Sequence, residues 1–295
     1  MTKEKEKDNY NTAQIITYFW KKKKKKMKVS VCMITYNHEN YIKEAIEAVL
    51  NQKTTFEIEL IIANDNSPDS TDQIIKKIIS EHPNGSKIIY TKNDTNIGMM
   101  PNFTKALKNC SGKYIALCEG DDYWTSDVKL QKQVDFLENN NDFAICFHKV
   151  GIDKNGELID DYITSTVNPK TTIYDLAKGN YIHTCSVVYR NHLFDNFPDY
   201  FYVSPVGDYF LHLLNSQYGA IYYIDEKMAN YRVHETSYWS SKKQEERETI
   251  WITFIENIKP NFNIEIQKLL EKQIFGFKYR KSSFWKKIQM KLIKK

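Results

Sequence analysis

Apolar and polar residues alternate along this chain in short blocks of two kinds. Near-continuous apolar runs, such as VSVCMI (29–34) and IELIIA (58–63), are typical of strands that are covered on both faces of a sheet. Between these runs, apolar residues recur every three or four positions, as in ENYIKEAIEAVLNQ, which is typical of amphipathic helices. The repeated order of strand and helix from Val29 to Leu117 predicts βαβ units and a mostly parallel sheet flanked by helices.

The second half of the chain continues this pattern less regularly. It predicts a helix in DVKLQKQVDFLENN, a strand in FAICFHKVGID, a loop or hairpin over 151–170 and a short helix near Tyr174. A strand in HTCSVVYR, a helix beginning near Asp208, a strand in AIYYID and two further helices follow. We therefore predict a disordered basic extension over 1–26, an α/β domain over 27–240, and C-terminal helices with a basic amphipathic tail over 241–295.

The formal net charge of +5 is unevenly distributed. Residues 1–28 carry ten lysines and three acidic residues (+7), and residues 276–295 carry eight basic residues and no acidic one (+8). This leaves −10 on residues 29–275, which argues against nucleic acid as a partner, because a nucleic-acid binder needs its basic surface on the folded domain. Five scattered cysteines, no signal peptide and no long apolar span predict a cytoplasmic protein with reduced thiols.

Polar residues end each of the first four predicted strands. These ends are TYN (35–37), ANDNS (63–67), NDTNIG (93–98) and EGDD (119–122). Any single cluster would be an ordinary turn, but the carboxyl ends of parallel strands meet at one edge of a sheet. Four such clusters in register therefore predict a binding cleft at that edge.

The segment LCEGDDYW holds three carboxylates within four positions, at Glu119, Asp121 and Asp122. Clustered carboxylates repel one another, and a bound cation relieves that repulsion. Divalent Mg or Mn needs only one or two protein carboxylates when diphosphate oxygens and water complete its shell. The segment therefore predicts a divalent cation that is bound together with a diphosphate.

The chain resembles family 2 glycosyltransferases of the GT-A fold through blocks in a fixed order. The blocks are SVCMITYNHENYIKEAI, IIANDNSPDSTDQI, NIGMMPNFTKAL, GKYIALCEGDDYWTSDVKLQKQVDFLE, VGDYFLHLL and YRVHETSYWS. The resemblance covers roughly residues 28–240. It implies an inverting transfer of a sugar from a nucleoside diphosphate donor, by family association UDP, to a hydroxyl of a glycan or lipid-linked acceptor in cell-surface polysaccharide synthesis.

The resemblance also implies a donor site at the ends of the first four strands. Asp65 would accept a hydrogen bond from the donor's base, and Tyr36 would flank that base. Thr35 and Asn37 would bind the base or the ribose. The remaining donor-binding positions would be Asn96, Gly98, Glu119 and Asp121, with Glu119 reaching the ribose.

The same resemblance implies a metal site and a general base. EGDD takes the place of the family's DxD motif, with Glu119 instead of the usual first Asp. Asp121, Asp122 and His234 would be the ligands of the Mn or Mg ion. Asp208, at the start of a helix, would deprotonate the acceptor hydroxyl, although an Asp there is also an ordinary helix-capping residue.

Three side chains near these motifs have less defined expectations. Arg232 is expected to pair with phosphate, while His183 and Arg190 are expected to approach the acceptor.

The tail FWKKIQMKLIKK has apolar residues along one helical stripe and lysines opposite, which predicts an interfacial helix at the inner face of the cytoplasmic membrane. A helix packed on the domain is the alternative for this tail.

Two other functions stay open on the sequence alone. A sugar nucleotidyltransferase would need a glycine-rich phosphate loop after the first strand, and TYNHEN contains no glycine. A non-catalytic carbohydrate-binding or scaffold module could keep the fold, but it would not need both the carboxylate cluster and Asp208.

Overall fold

The computed structural model describes residues 28–161, 163–164, 167–235, 237–239 and 241–281. The predicted extension over 1–26 and the tail from 282 to 295 lie outside the described residues. Within the described part, strands and helices alternate through the first half as the sequence predicts.

From Lys28 to Asn139 the described chain forms five strands and four helices. They are β1 (Lys28–Thr35), α1 (Ile42–Leu50), β2 (Glu57–Asn64), α2 (Thr71–Glu81), β3 (Ile88–Lys92), α3 (Met99–Lys108), β4 (Tyr114–Leu117), β5 (Tyr123–Trp124) and α4 (Lys129–Asn139). The later elements are β6 (Phe143–Lys154), β7 (Glu157–Asp160), β8 (Lys170–Thr171), α5 (Ile173–Leu176), β9 (Val188–Arg190), α6 (Gly207–Asn215), β10 (Ala220–Val233), α7 (Gln244–Ile258) and α8 (Ile264–Lys281).

Among the described residues, ten strands form one sheet in the order β3-β2-β1-β4-β9-β6-β10-β5, with β7 beside β6 and β8 beside β10. The block β3-β2-β1-β4 is parallel, as predicted. Beyond it, β9 runs antiparallel to both β4 and β6, whereas β6 and β10 are parallel. The sheet is therefore parallel where the four polar strand ends lie and mixed in the second half.

Both faces of the sheet are buried, which explains the near-continuous apolar strands. Successive residues of β1 face opposite cores, with Cys32 on one side and Val31 and Met33 on the other. The first face is covered by α3, α6, α7 and α8, and the second by α1, α2 and α4. The architecture is therefore three layers of helix, sheet and helix.

The two C-terminal helices pack onto the α/β domain. Trp251 of α7 stacks on Tyr209 of α6 at a ring-centroid distance of 5.2 Å. Gln273 of α8 donates hydrogen bonds to the Tyr209 hydroxyl (3.0 Å) and to the carbonyl of Ala177 (2.7 Å). These helices thus complete the core on the α6 side. None of the helices in the described ranges has the length and apolar character needed to cross a membrane.

The stretch HTCSVVYR forms a strand only from Val188 to Arg190, and residues 184–186 form a 3-10 turn. Side chains take the place of the sheet ladder there, because the Trp124 indole donates to the Cys185 carbonyl and the Gln133 amide to the Ser186 carbonyl. The predicted hairpin over 151–170 is formed by β6 and β7, which pair antiparallel.

Arg190 has a different place from the one we expected near an acceptor. Its guanidinium donates hydrogen bonds to the main-chain carbonyls of Phe143, Leu137 and Asn140. It also donates to the Tyr114 hydroxyl at 3.2 Å. Because these bonds join β9 to the end of α4 and the start of β6, Arg190 holds the framework together.

Candidate active site

The four polar strand ends lie side by side at the carboxyl edge of the parallel block. Main-chain hydrogen bonds continue from strand to strand beyond the regular ladders. They run from Asn93 N to Asn64 O (2.9 Å), from Asp65 N to Thr35 O (3.0 Å) and from Gly120 N to Ile34 O (3.0 Å). The cleft therefore has a rigid floor of backbone rather than a set of independent loops.

Gly120, in the middle of EGDD, lies where the ends of β1 and β4 meet. A Cβ on this residue would be 2.8 Å from both Cβ and Oγ1 of Thr35, and 3.0 Å from Nδ1 of His38. Real Cβ atoms do not approach other atoms so closely. Glycine is therefore required here so that the acidic segment can pass against the end of β1.

Asp121 forms a cluster with two histidines, and its side chain is partly exposed. Its Oδ2 lies 3.1 Å from Nε2 of His234 and 3.7 Å from Nε2 of His38. Burial alone would raise the pKa of Asp121, but the two imidazoles outweigh burial and hold the pKa below its ordinary value. Burial also lowers the pKa of His38, against the opposing effect of Asp121. Asp121 therefore remains an ionised carboxylate beside two imidazole rings.

Asp122 has a different environment from its neighbour. Its side chain is almost fully buried, and Oδ1 accepts a hydrogen bond from the main-chain N–H of Arg232 at 2.8 Å. Burial, with the charge of Asp121, raises the pKa of Asp122 well above its ordinary value. Asp122 therefore joins the acidic segment to β10 through this hydrogen bond. The role of Asp122 as a metal ligand stays a prediction.

Arg232 is occupied by protein partners. Its guanidinium pairs with Glu44 at 2.7 Å and with Asp153 at 3.5 Å. It also lies between the rings of Tyr41 and Tyr123, at 4.7 and 4.5 Å from their centroids. Because two carboxylates and two aromatic faces hold this cation, the structure gives Arg232 a structural role and not the phosphate pairing that we expected.

Asp65 organises the loop between β3 and α3. Its Oδ1 accepts from the Asn93 amide (2.8 Å) and the Ile97 N–H (2.9 Å), and its Oδ2 accepts from the Gly98 N–H (2.8 Å). Gly98 has a φ of +93°, which favours glycine, and its N–H is shared with Asn96 Oδ1. Three of about four acceptor positions on the Asp65 carboxylate are used, so one remains for a ligand donor.

The end of β1 presents exposed side chains above this floor. Tyr36 is 46% exposed and Asn37 is also exposed, whereas Thr35 is buried. Asn37 has a φ of +62°, and its N–H is fixed by the Ser67 hydroxyl at 3.0 Å. Tyr36 and Asn37 are therefore available to a ligand, while Thr35 acts from below through its hydroxyl, 3.2 Å from His38 Nδ1.

Asp208 and Glu119 are close enough to interact electrostatically. Burial raises the pKa of Glu119 well above its ordinary value, and the charges of Asp121, Asp122 and Asp208 add to this effect. Asp208, in the first turn of α6, is half-buried, and its Oδ2 accepts a hydrogen bond from the Thr184 hydroxyl at 3.0 Å. The structure thus brings the predicted base into electrostatic contact with the acidic segment.

The side chains at Asp121 fit a divalent cation in chemistry, with a carboxylate oxygen beside imidazole nitrogens. No group of three or more His, Cys, Asp or Glu side chains in the described ranges is placed to enclose a metal by itself. A cation that binds with a diphosphate needs only one or two protein ligands. Asp121 and His234 are therefore the residues that fit such an ion best.

Two residues of the site were missing from our sequence prediction. His38 directly follows TYN at the end of the first strand, and this position was the signal in the sequence that marks it as a site residue. Thr184 had no signal, since its contact with Asp208 joins residues that are 24 positions apart.

Known proteins similar to this chain were found by sequence and by structure. The family model for glycosyl transferase family 2 matches residues 30–197. An uncharacterized protein of Mycobacterium tuberculosis is 37% identical over 227 residues. The alignment covers 76% of this chain and only 64% of that relative's length. The Escherichia coli UDP-Glc:alpha-D-GlcNAc-diphosphoundecaprenol beta-1,3-glucosyltransferase WfaP is 37% identical over 39% of this chain and 43% of its own.

Two solved structures share the fold. Staphylococcus aureus TarS 1–349 in complex with UDP-GlcNAc aligns with a TM-score of 0.63 and 21% identity, over 88% of this chain and 73% of that one. The mannosyltransferase PcManGT from Pyrobaculum calidifontis, in complex with GDP-Man and Mn²⁺, aligns with a TM-score of 0.63 and 12% identity. The alignment covers 88% of this chain and 76% of PcManGT. Both likenesses establish a GT-A architecture.

Replacing Gly120 with alanine tests the close approach of β1 and β4. We expect Gly120→Ala to lower the free energy of unfolding by about 1–3 kcal/mol, because the added methyl must displace Thr35 or His38. Urea denaturation measures this loss. Gly179→Ala is the matched control, since a Cβ there meets nothing within 4 Å. Equal stability of the two variants would show that the strand ends tolerate a side chain between them.

Proposed function

The chain belongs to glycosyl transferase family 2, and we propose that it transfers a sugar from a nucleoside diphosphate donor to a hydroxyl of a glycan or lipid-linked acceptor, with inversion at the anomeric carbon. The observation that carries this proposal is that Asp121 and Asp208 both interact electrostatically with Glu119, which directly follows the strand β4 and its neighbour Cys118. A carbohydrate-binding module has no need for three interacting carboxylates in one cleft, because their mutual repulsion costs stability.

UDP is the donor nucleotide we favour. The E. coli relative is named for UDP-Glc, and the TarS structure holds UDP-GlcNAc. In this chain the base would lie between the exposed Tyr36 ring and the remaining acceptor position of Asp65, with Asn37 and Asn96 at the ribose or the base. The Gly98 N–H is already bound by Asp65, so we assign Gly98 to shaping the loop.

The diphosphate would lie at Asp121. A diphosphate needs positive charge beside it, and Arg232 is not free to supply that charge because it is already paired with Glu44 and Asp153. A divalent ion held by Asp121 and His234 would supply that charge and stabilise the departing nucleoside diphosphate. The Mn²⁺ named with PcManGT supports this assignment. Glu119, which is half-buried and interacts electrostatically with Asp121 and Asp208, would contact the ribose or the transferred sugar.

Asp208 would be the general base. In the proposed step the acceptor oxygen attacks the anomeric carbon while the bond to the nucleoside diphosphate breaks, and Asp208 takes the proton of the acceptor hydroxyl. Such a base contributes about 10²–10⁴-fold to the rate. Its half-exposed position at the start of α6 supports this role, since the acceptor must reach it from solvent.

A lipid-linked acceptor would place the enzyme beside a membrane. The diphosphoundecaprenol in the name of the E. coli relative supports such an acceptor. Residues 282–295 contain five lysines and the apolar residues Phe284, Trp285 and Ile288. Each lysine near an anionic leaflet contributes about 1 kcal/mol of binding, so we assign membrane attachment at the inner leaflet to this tail.

Sugar transfer is tested by incubating the full chain with UDP-, GDP- and TDP-sugars, polyprenyl-diphosphate glycan acceptors and Mn²⁺ or EDTA, and measuring nucleotide release and product mass. We expect acceptor-dependent release of one nucleoside diphosphate. Asp208→Asn should lower kcat about 10³-fold, with the donor Kd changed less than about twofold. Asp195→Asn, on a loop at the opposite end of the sheet, is the control. Near-normal turnover of Asp208→Asn would refute the assigned base.

The assignment of the metal is tested by comparing Asp121→Asn with Asp122→Asn. Calorimetric binding of UDP with Mn²⁺ should weaken at least about tenfold in Asp121→Asn, a loss of about 1.4 kcal/mol, and should match the wild type in EDTA. Asp122→Asn should unfold at lower urea because a buried bond to β10 is altered, yet retain Mn²⁺-dependent binding. Loss of Mn²⁺ dependence in Asp122→Asn alone would reverse the assignment.

Membrane attachment is tested by sedimentation with vesicles of phosphatidylglycerol and phosphatidylcholine. The full chain should bind these vesicles, and a chain that ends at Lys281 should bind at least about tenfold less. A chain that lacks residues 1–26 is the control, because it loses nine lysines, more than the five in the tail, and keeps the apolar stripe of the tail. Equal binding by the chain ending at Lys281 and the full chain would place the attachment elsewhere.

A further inference from the structure

The turn that carries Thr184 is held rigidly from the acidic segment and from α4. Trp124, two residues after Asp122, donates its indole N–H to the Cys185 carbonyl at 2.9 Å. Gln133 donates to the Ser186 carbonyl at 2.9 Å, and both donor side chains are buried. The Ser186 N–H closes the turn on the His183 carbonyl, also at 2.9 Å. The position of Thr184 is therefore fixed before any ligand binds.

Thr184 in turn contacts the Asp208 carboxylate. Its hydroxyl donates to Oδ2 at 3.0 Å, while Oδ1 accepts the N–H of Tyr209 at 2.7 Å. Helix α6 itself is docked closely on α3, since a Cβ on Gly207 would lie 2.3 Å from Met100 Sδ. With the helix fixed and one donor on each oxygen, the carboxylate has a single preferred orientation.

His212, a titratable side chain on the same helix as Asp208, does not supply this orientation. His212 lies one turn further along α6 and is fully buried, and neither ring nitrogen has a hydrogen-bond partner among the described residues. Burial lowers its pKa to about 4, against the opposing charge of Asp208. A neutral imidazole without a hydrogen-bond partner neither pulls on the carboxylate nor takes its proton. Within the part of the chain that the structure describes, the Thr184 hydroxyl is the side-chain contact that can orient the carboxylate.

We propose that Thr184 is the positioning residue of the general base, and that the turn 183–186 aligns the base with the acidic segment. This inference rests on the proposed function, in which Asp208 deprotonates the acceptor. A hydroxyl that donates to Oδ2 leaves the remaining lone pairs of the carboxylate for the acceptor proton. It also removes the rotational freedom of a short side chain, and a misplaced catalytic group costs a large part of its rate contribution.

The inference is tested with Thr184→Val, which keeps the shape of the side chain and removes the donor. We expect kcat to fall about 10- to 100-fold, as for loss of a hydrogen bond to a charged group. The donor KM should change less than about twofold, because the donor binds at the other strand ends. Thr184→Ser should restore most of the rate. Thr249→Val is the matched control, since that hydroxyl bonds a carbonyl on the exposed side of α7.

Two results in an active enzyme would overturn the inference: wild-type kcat in Thr184→Val, or equally low kcat in the valine and serine variants. Crystal structures of the variants give a second measurement that does not depend on turnover. The Asp208 carboxylate should leave its wild-type rotamer in Thr184→Val and keep it in Thr184→Ser. An unchanged rotamer in the valine variant would refute the positioning role whether or not the wild type transfers sugar. A wild type that transfers no sugar would count against the proposed function alone.

Discussion

The absence of a side chain at residue 120 is the constraint on which the cleft depends. The main-chain bond from Gly120 to the Ile34 carbonyl continues the pairing of β4 with β1 past the regular strands. Thr35 fills the space that a Cβ would occupy. Because the backbone is fixed at this point, Asp121 leaves the sheet edge toward His38 and His234 and Asp122 turns under it toward β10. The strand pairing, not the acidic side chains, determines which carboxylate faces the ligand.

The acidic segment shows how one sequence pattern yields different charge states. Asp121 stays ionised because two imidazoles outweigh burial, whereas burial and neighbouring charges raise the pKa of both Asp122 and Glu119. These carboxyl groups are adjacent in sequence, so only their surroundings can separate them. Environments that push neighbouring carboxyl groups apart in pKa are a common basis for dividing catalytic roles.

Much of the fold followed from periodicity, because strands buried on both faces and helices buried on one leave clear patterns. The family and the GT-A architecture followed from the ordered blocks. The exceptions involve contacts between distant residues. The turn at 184–186 replaces a predicted strand because Trp124 and Gln133 take its carbonyls. Arg190 and Arg232 resemble ligand-binding residues in sequence, yet one binds main-chain carbonyls and the other lies between two tyrosines. No local pattern encodes such partners.

The acidic segment is held by partners in and just after β10, and this determines the order in which the site is assembled. His234, just after the end of β10, follows Asp121 by 113 residues, and the amide that binds Asp122 belongs to Arg232 within β10. At about 5–20 residues per second on a ribosome, the carboxylates emerge roughly 5 to 20 seconds before their partners. During that interval the nascent chain contains the acidic segment but lacks the imidazole and the amide that contact Asp121 and Asp122. Completion of β10 therefore couples the appearance of a competent site to the synthesis of nearly the whole domain.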